Sequence, residues 1–285
     1  MIFKTKSSIR KATAEDQQEL ANLIHFGTLV HRHLDWRPPL EWIGSQPFLV
    51  LEKEDRIVAA LACPPDPPSV VWVRLFVAYD ERNLLANWKQ LFSEAYEMIT
   101  PDPDLEIAAI PLQKWFQKLL DRCQFQAATD VVMLIWDSGV IPGPQPSPDI
   151  GIRPMNIDDL VQVESLDKLA FGTIWHNSRL SLEYAFRQAA IATIAEIEGE
   201  IVGYQISTGM QMGGHLARLA THPEYQRRGI GCAILRDLMV QFKQRGAFRI
   251  TVNTQEDNIG SIALYENSGF SRTGETYPVY IYQPS

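Results

Sequence analysis

The chain repeats itself, and that repeat limits its fold more than any single motif does. Ile9-Arg10-Lys11-Ala12-Thr13-Ala14-Glu15-Asp16 is echoed by Ile152-Arg153-Pro154-Met155-Asn156-Ile157-Asp158-Asp159. Each run reads as a strand ending at a polar residue able to cap a helix, Thr13 or Asn156, with an acid three positions later. Val50–Ala59 is echoed by Ile194–Gly203, each an apolar strand, a charged turn and a second strand. Val73-Arg74-Leu75-Phe76-Val77 is echoed by Ala217-Arg218-Leu219-Ala220-Thr221, and the offset of 144 between Arg74 and Arg218 also relates Ile57 to Ile201. Leu119–Phe125 matches Leu264–Phe270 with one residue of slip. Such a chain holds two copies of one α+β domain.

Between the copies lies a run with four prolines and no periodicity, which reads as an extended linker. The expected partition is a first domain over 1–137, a linker over 138–149 and a second domain over 150–285. With 46% hydrophobic and 21% charged residues the chain has the composition of a soluble globular protein. It has no apolar run long enough to cross a bilayer, and its start lacks the apolar segment of a secretory signal. Three widely spaced cysteines, Cys63, Cys123 and Cys232, argue against a disulfide framework or a zinc site and for a reducing cytoplasm. His31 and His33 have no clear companion ligands, so no metal is expected. The net charge of −8 argues against nucleic acid as a partner and weakly favours cationic substrates.

The densest chemical signal is Gln226-Arg227-Arg228-Gly229-Ile230-Gly231, preceded by a strand, His222 and Pro223, and followed by an apolar helix. Glycines two apart let the backbone turn tightly and aim successive N–H groups into one concavity. The helix behind adds its unpaired first-turn amides and the positive end of its dipole, which makes a site for a pyrophosphate. At the same offset the first copy carries Arg82-Asn83-Leu84-Leu85-Ala86-Asn87, with no glycine, so Cβ atoms would crowd a phosphate there.

This frame resembles the acetyl-CoA-binding motif of the GCN5-related N-acetyltransferases, the GNAT superfamily. The likeness continues through Asn258-Ile259-Gly260-Ser261-Ile262-Ala263-Leu264-Tyr265-Glu266-Asn267-Ser268-Gly269-Phe270 and covers roughly Ile152 to Tyr282. It implies two tandem domains, each a mixed, largely antiparallel twisted sheet flanked by helices. It also implies an acetyl-CoA-dependent N-acetyltransferase acting on a small-molecule or peptide amine by direct attack. The main chain of Leu219, Ala220 and Thr221 would pair with the pantetheine arm and polarise the thioester carbonyl. The loop from Gln226 through Arg227, Arg228, Gly229, Ile230, Gly231 and Cys232 would hold the pyrophosphate, and Asn258 would touch the cofactor or cap its helix. Tyr265 would protonate the departing thiolate.

The chain departs from the family where many relatives carry a strand glutamate as general base, for Ala217 stands there. Glu196, His176 and His215 are then the candidates, beside water. Arg218 recurs as Arg74, which fits a structural role, and the loop Ala170–Arg179 would border the acceptor. In the first copy Leu120 replaces Tyr265, so that copy reads as a degenerate domain without the cofactor. The missing glutamate also leaves a non-catalytic acyl-CoA-binding regulatory or interaction module as the alternative, and the sequence leaves a homodimer open.

Overall fold

The computed structural model describes residues 7–99, 105–137, 139–141, 149–211 and 213–284. Most of the predicted linker, 138 and 142–148, lies outside the described residues. The chain forms β1 (Ser7–Lys11), α1 (Gln17–Phe26), β2 (Leu29–Arg32), β3 (Phe48–Lys53), β4 (Arg56–Ala62), β5 (Val70–Trp72), β6 (Leu75–Ala78), α2 (Leu84–Ile99), β7 (Glu106–Ala109), α3 (Lys114–Leu120) and β8 (Phe125–Trp136). It then forms β9 (Gly151–Pro154), α4 (Leu160–Ala170), α5 (Arg179–Gln188), β10 (Ile191–Ile197), β11 (Glu200–Met210), β12 (Gly213–Thr221), α6 (Ile230–Gln244), β13 (Arg249–Gln255), α7 (Ile259–Asn267) and β14 (Ser271–Tyr282). Set side by side the two series match, except that β2 has no strand counterpart, α5 has no helical one, and β5 and β6 together answer to the single strand β12.

Two compact units result, and they do not follow the contiguous partition at 138–149. The first comprises 1–128 with 278–285, the second 129–277. By the repeat, β7 corresponds to β13 and β8 to β14. Yet β7 takes the end of β14 as its antiparallel neighbour, Tyr280 opposite Ala109, and β13 takes the end of β8, Val252 opposite Leu134. Each unit is therefore completed by the last strand of the other copy. Of the linker, Gly139 to Ile141 are held in the second unit, where the Gly139 carbonyl accepts from Lys243 Nζ at 2.7 Å and Trp136 Nε1 donates to the Val140 carbonyl at 2.8 Å.

The first unit orders five strands as β1-β3-β4-β6-β2 and pairs β5 parallel with β7. Its sheet has helices on both faces. Trp88, Phe92 and Phe116 of α2 and α3 pack with Phe76 on one, while Leu20 and Ile24 of α1 pack with Trp42, Leu75 and Val77 on the other. The second unit orders its strands β9-β10-β11-β12-β13-β8, with only the β12–β13 pair parallel. Ile230, Ala233, Ile234, Leu238 and Phe242 recur at the spacing of one helix face and are all buried, which fixes α6 on its sheet.

Local devices repeat with the sequence. The hairpin turns place Glu54 and Asp55, then Glu198 and Gly199, at positive φ, and a bulge follows Leu51 as it follows Ala195. Arg10 bridges Asp16 at 2.7 Å and Glu52 at 2.6 Å, and Arg153 bridges Asp159 at 2.7 Å and Glu196 at 2.9 Å. One local expectation changes. The run Gly209–Gly214 reads as a turn, but β11 extends to Met210 and β12 starts at Gly213. A Cβ on Gly214 would lie 2.3 Å from the Phe242 ring, and one on Gly213 2.7 Å from the Arg249 carbonyl. Both glycines serve close packing within a longer hairpin.

Candidate functional site

The two central strands of the second unit separate part-way along. β12 pairs with β13 only from Gly213 to Leu216, and beyond that it pairs with β11 alone. The register shift opposite Ile206 and Ser207 leaves Ala217 as an extra residue, a bulge that turns the strand at the point of separation. The His222 amide donates to the Val202 carbonyl of β11 at 2.9 Å. Because backbone groups alternate along a strand, those of Leu219 and Thr221 point the other way, to the edge that has no partner strand. Those of Ala220 face β11, so the expected three-residue contact reduces to two outward-facing residues.

That open edge runs into the loop before α6. Arg227 and Gly229 both adopt left-handed backbone, φ 62° and 83°, with Arg228 between them. Gly229 is the N-cap, and the first helical bond is Ala233 N–H to the Gly229 carbonyl. Among the described residues no backbone bond engages the amides of 227 to 232, which leaves a row of donors at a helix start. Gly231 serves a different purpose from Gly229: a Cβ there would sit 3.3 Å from Leu264 of α7 and 3.7 Å from Thr221 Oγ1. Arg228 lies against Tyr225 at 4.9 Å, Gln226 Nε2 reaches the Thr221 carbonyl at 3.4 Å, and Cys232 is an exposed free thiol. The charge and the free amides fit a pyrophosphate, and the unpaired edge fits an amide-bearing arm.

Tyr265 sits on the buried face of α7 within the core of Leu216, Leu235 and Phe270. Burial raises its phenol above the ordinary range, and the hydroxyl has no hydrogen-bond partner among the described residues. Asn258 caps α7, its Oδ1 accepting from the Ser261 amide at 3.1 Å.

Residues 160–270 match the model of the acetyltransferase (GNAT) family. The matched stretch lies wholly within the second unit, the GNAT unit of this chain. The whole chain has the fold of tandem GNAT proteins. It is similar to a tandem GNAT protein from the clavulanic acid biosynthesis pathway at a TM-score of 0.63 and 15% identity, covering 98% of this chain and 100% of that one. It is likewise similar to a GCN5-related N-acetyltransferase from Sphaerobacter thermophilus at 0.61 and 15%, covering 96% and 95%. A third, from Kribbella flavida, reaches 0.67 at 12% identity, covering 97% of this chain and 71% of that one.

The other face of β12 in the GNAT unit is organised by one buried ion pair. Arg218 Nε and Nη2 grip Asp167 of α4 at 2.7 and 2.8 Å, and Asp167 is fully buried. Tyr204 donates its hydroxyl to the same carboxylate. Arg218 also donates to the Trp175 carbonyl at 2.7 Å and lies 3.5 Å from the Phe171 ring centre, while Asp167 accepts from the Asn177 amide at 2.7 Å. Sequence reasoning gave Arg218 a structural role without its partner. The partner pins the loop 171–178.

Of the candidate bases, Glu196 is committed to Arg153. His215, two residues before the bulge, has Nδ1 2.9 Å from Thr251 Oγ1, and burial lowers its pKa against an opposing side-chain hydrogen bond to Asn253. His176 lies in the pinned loop. His222 caps the short turn before the GNAT loop, accepting from the Glu224 amide at 3.3 Å.

The first unit closes each of these openings. β2 pairs along β6, Leu29 opposite Ala78 through Arg32 opposite Leu75, on the edge that the GNAT unit leaves free beyond Ala217. At the start of α2 the Asp80 carboxylate accepts from the Asn83 amide at 3.0 Å, placing the chain's own negative charge there. Leu120, in the place of Tyr265, is fully buried among Trp88 and Phe116. Sequence comparison detects the glycine loss, but β2 has no copy to be compared with.

Proposed function

We propose that the chain is an acetyl-CoA-dependent N-acetyltransferase in which the GNAT unit binds the donor and carries the transfer, and the first unit has no donor site. The observation that carries this reading is the unpaired edge of β12, continuous with the free amides of 227–232. Bound acetyl-CoA supplies an acetyl group as a thioester, activated for transfer to an amine.

The chain's own residues then have separate tasks. The outward main chain of Leu219 and Thr221 aligns the arm and offers an N–H to the carbonyl, a fixed dipole that needs no reorganisation. The amides and arginines of 227–232 anchor the diphosphate, so that position is settled before the acceptor arrives. Tyr265 gives its hydroxyl proton to the departing sulfur. A buried phenol with a raised pKa is a reluctant acid but is reliably protonated, so the proton is available at every neutral pH. His215 takes the amine proton, directly or through water. In the tautomer with Nδ1–H donating to Thr251, Nε2 carries the lone pair a base needs. The pinned loop 171–178 borders the acceptor.

The test uses the full chain, because each unit needs a strand from the other copy. Calorimetric titration with acetyl-CoA is expected to give one site per chain, and zero or two sites would overturn the assignment. Thiol release is then followed over amino acids, polyamines, aminoglycosides and peptide N-termini. Donor binding with no turnover on any of these would favour the non-catalytic acyl-CoA module.

A further inference from the structure

The apolar run that opens β11, Ile201-Val202-Gly203-Tyr204, carries a glycine where a side chain would strengthen the strand. A glycine inside a strand marks a place where something else comes close. Gly203 is buried, with Ala195 of β10 opposite it on one side and Thr221 of β12 on the other. A Cβ there would lie 2.7 Å from Ile234 Cδ1 and 3.0 Å from Ile230 Cγ2, both on α6. It would also lie 3.1 Å from the carbonyl oxygen of Ala220, the residue between the two outward-facing ones of β12. One bare position therefore abuts both parts of the donor site.

Each of these neighbours is held. Ile230, the first residue of α6, and Ile234 are buried in a cluster with Ala195 and Val202. The Ala220 carbonyl is main chain of a strand fixed by its pairing with β11. Close-packed interiors hand such a strain on rather than absorb it, so an added methyl would lift the first turn of α6 off the sheet. The amides of 230–232 ride on that turn, while Leu219 and Thr221 stay with β12. The first unit carries the methyl. Ala59, the repeat equivalent of Gly203, is fully buried in the core that includes Trp88 and Leu91 of α2, and that unit has Arg82–Asn87 in place of the glycine loop.

We propose that Gly203 is a positioning residue for the donor: having no side chain, it sets the distance between the open edge of β12 and the first turn of α6, so that the arm and the diphosphate of one acetyl-CoA molecule are held together. This rests on the reading of that edge and loop as the acetyl-CoA site. Gly203 acts through Ala220, Ile230 and Ile234. When α6 shifts, each part of the site keeps its own groups, but a molecule joined across both loses the advantage of holding on at two places.

The test is calorimetric titration of the full chain with acetyl-CoA, with ADP, measured by displacement, as the probe of the loop alone. Gly203→Ala is expected to raise Kd for acetyl-CoA about tenfold and to leave that for ADP within about twofold of wild type. Ile234→Val removes the Cδ1 methyl nearest the new Cβ, so the double variant Gly203→Ala with Ile234→Val should recover to about threefold above wild type. Wild-type affinity in Gly203→Ala, or an equal loss for acetyl-CoA and ADP, would overturn the proposal, since the glycine would then serve packing alone. So would a double variant as weak as the single one. A wild-type chain that binds no acetyl-CoA, or from which ADP displaces none, would instead overturn the reading of the site on which the proposal rests. Should Gly203→Ala not fold, the double variant still keeps the close approaches to Ile230 and Ala220. Its acetyl-CoA affinity should then fall about threefold while that for ADP holds, and no fall would overturn the proposal.

Discussion

The GNAT unit and the first unit share the order of their first four matching strands, the bulge of the first hairpin, its turn geometry and the same three-residue ion network, yet they treat one edge differently. In the GNAT unit β12 leaves β13 after Leu216, and among the described residues no strand pairs with Leu219 or Thr221 on the edge away from β11. In the first unit β5 and β6 separate at the corresponding place, and β2 fills the gap with four residue pairs. A strand and a cofactor arm make the same kind of main-chain bonds, so they compete for one edge. The first copy therefore keeps a sound fold with its cleft occupied by its own chain. Its missing glycines are one of three closures, beside β2 and Asp80.

The largest effect is expected where Leu120 stands for Tyr265. Tyr265→Phe should lower kcat by about 10²- to 10⁴-fold, the span of general acid–base catalysis, with acetyl-CoA affinity unchanged by calorimetry. A matching loss of affinity or of folding would make Tyr265 a core residue like Leu120 and erase this difference between the units.

Next comes the buried arginine. Arg218→Met strands the Asp167 carboxylate, at a cost of about 3–5 kcal/mol for an ion pair broken by removing one partner. The Trp175 carbonyl and the Phe171 ring lose their contact as well, so limited proteolysis should find 171–178 before any other described loop of the GNAT unit. A denaturation midpoint equal to wild type would mean that the second-unit pair is no tether, and the analogy with Arg74 would fall. His215→Asn is expected to cost about a hundredfold in turnover, at the low end for a general base because water can replace it. Burial lowers the pKa of His215, so the neutral, proton-accepting form persists below the ordinary histidine range. The acid limb of kcat against pH should therefore lie below pH about 6.5 and vanish in the variant.

How much of this was legible follows from what is local. The repeat, the hairpins between β3 and β4 and between β10 and β11, the α6 face and the tight turn before α6 rest on spacing within a few residues, and they stand where the sequence puts them. The exchange of last strands was not legible. β8 and β14 descend from equivalent positions and suit either sheet, so no period or turn signal says which copy each will pair with. The filling of the β6 edge by β2 depends on a segment with no counterpart strand, which comparing the copies cannot expose. Asp167 was missed for another reason: an acid on a helix face reads as solvated until Arg218 and Tyr204 are seen to converge on it.

The smallest effect is the one that should not distinguish the units. Arg10 with Asp16 and Glu52, and Arg153 with Asp159 and Glu196, are near copies at the sheet edge, and both arginines are about a third exposed, at 38% and 36%. Solvent screens them, so Arg10→Gln and Arg153→Gln should each lower stability by no more than about 1 kcal/mol. The arginine hydrogen bond holds Asp16 down to about 2 and lowers Asp159 as well, through the same first cause. A carboxylate depressed in the folded state binds its proton more readily when unfolded, so its contribution is complete above the unfolded value near 3.9 and is lost as pH falls through the folded one. For Asp16 that window runs from pH about 4 to about 2. Acid titration of the two variants against wild type should show their stability gap closing in that window for Arg10→Gln. If Arg153→Gln kept its gap at the acid end of that window, the two networks would differ in chemistry despite their geometry, and the divergence of the copies would extend beyond the cleft.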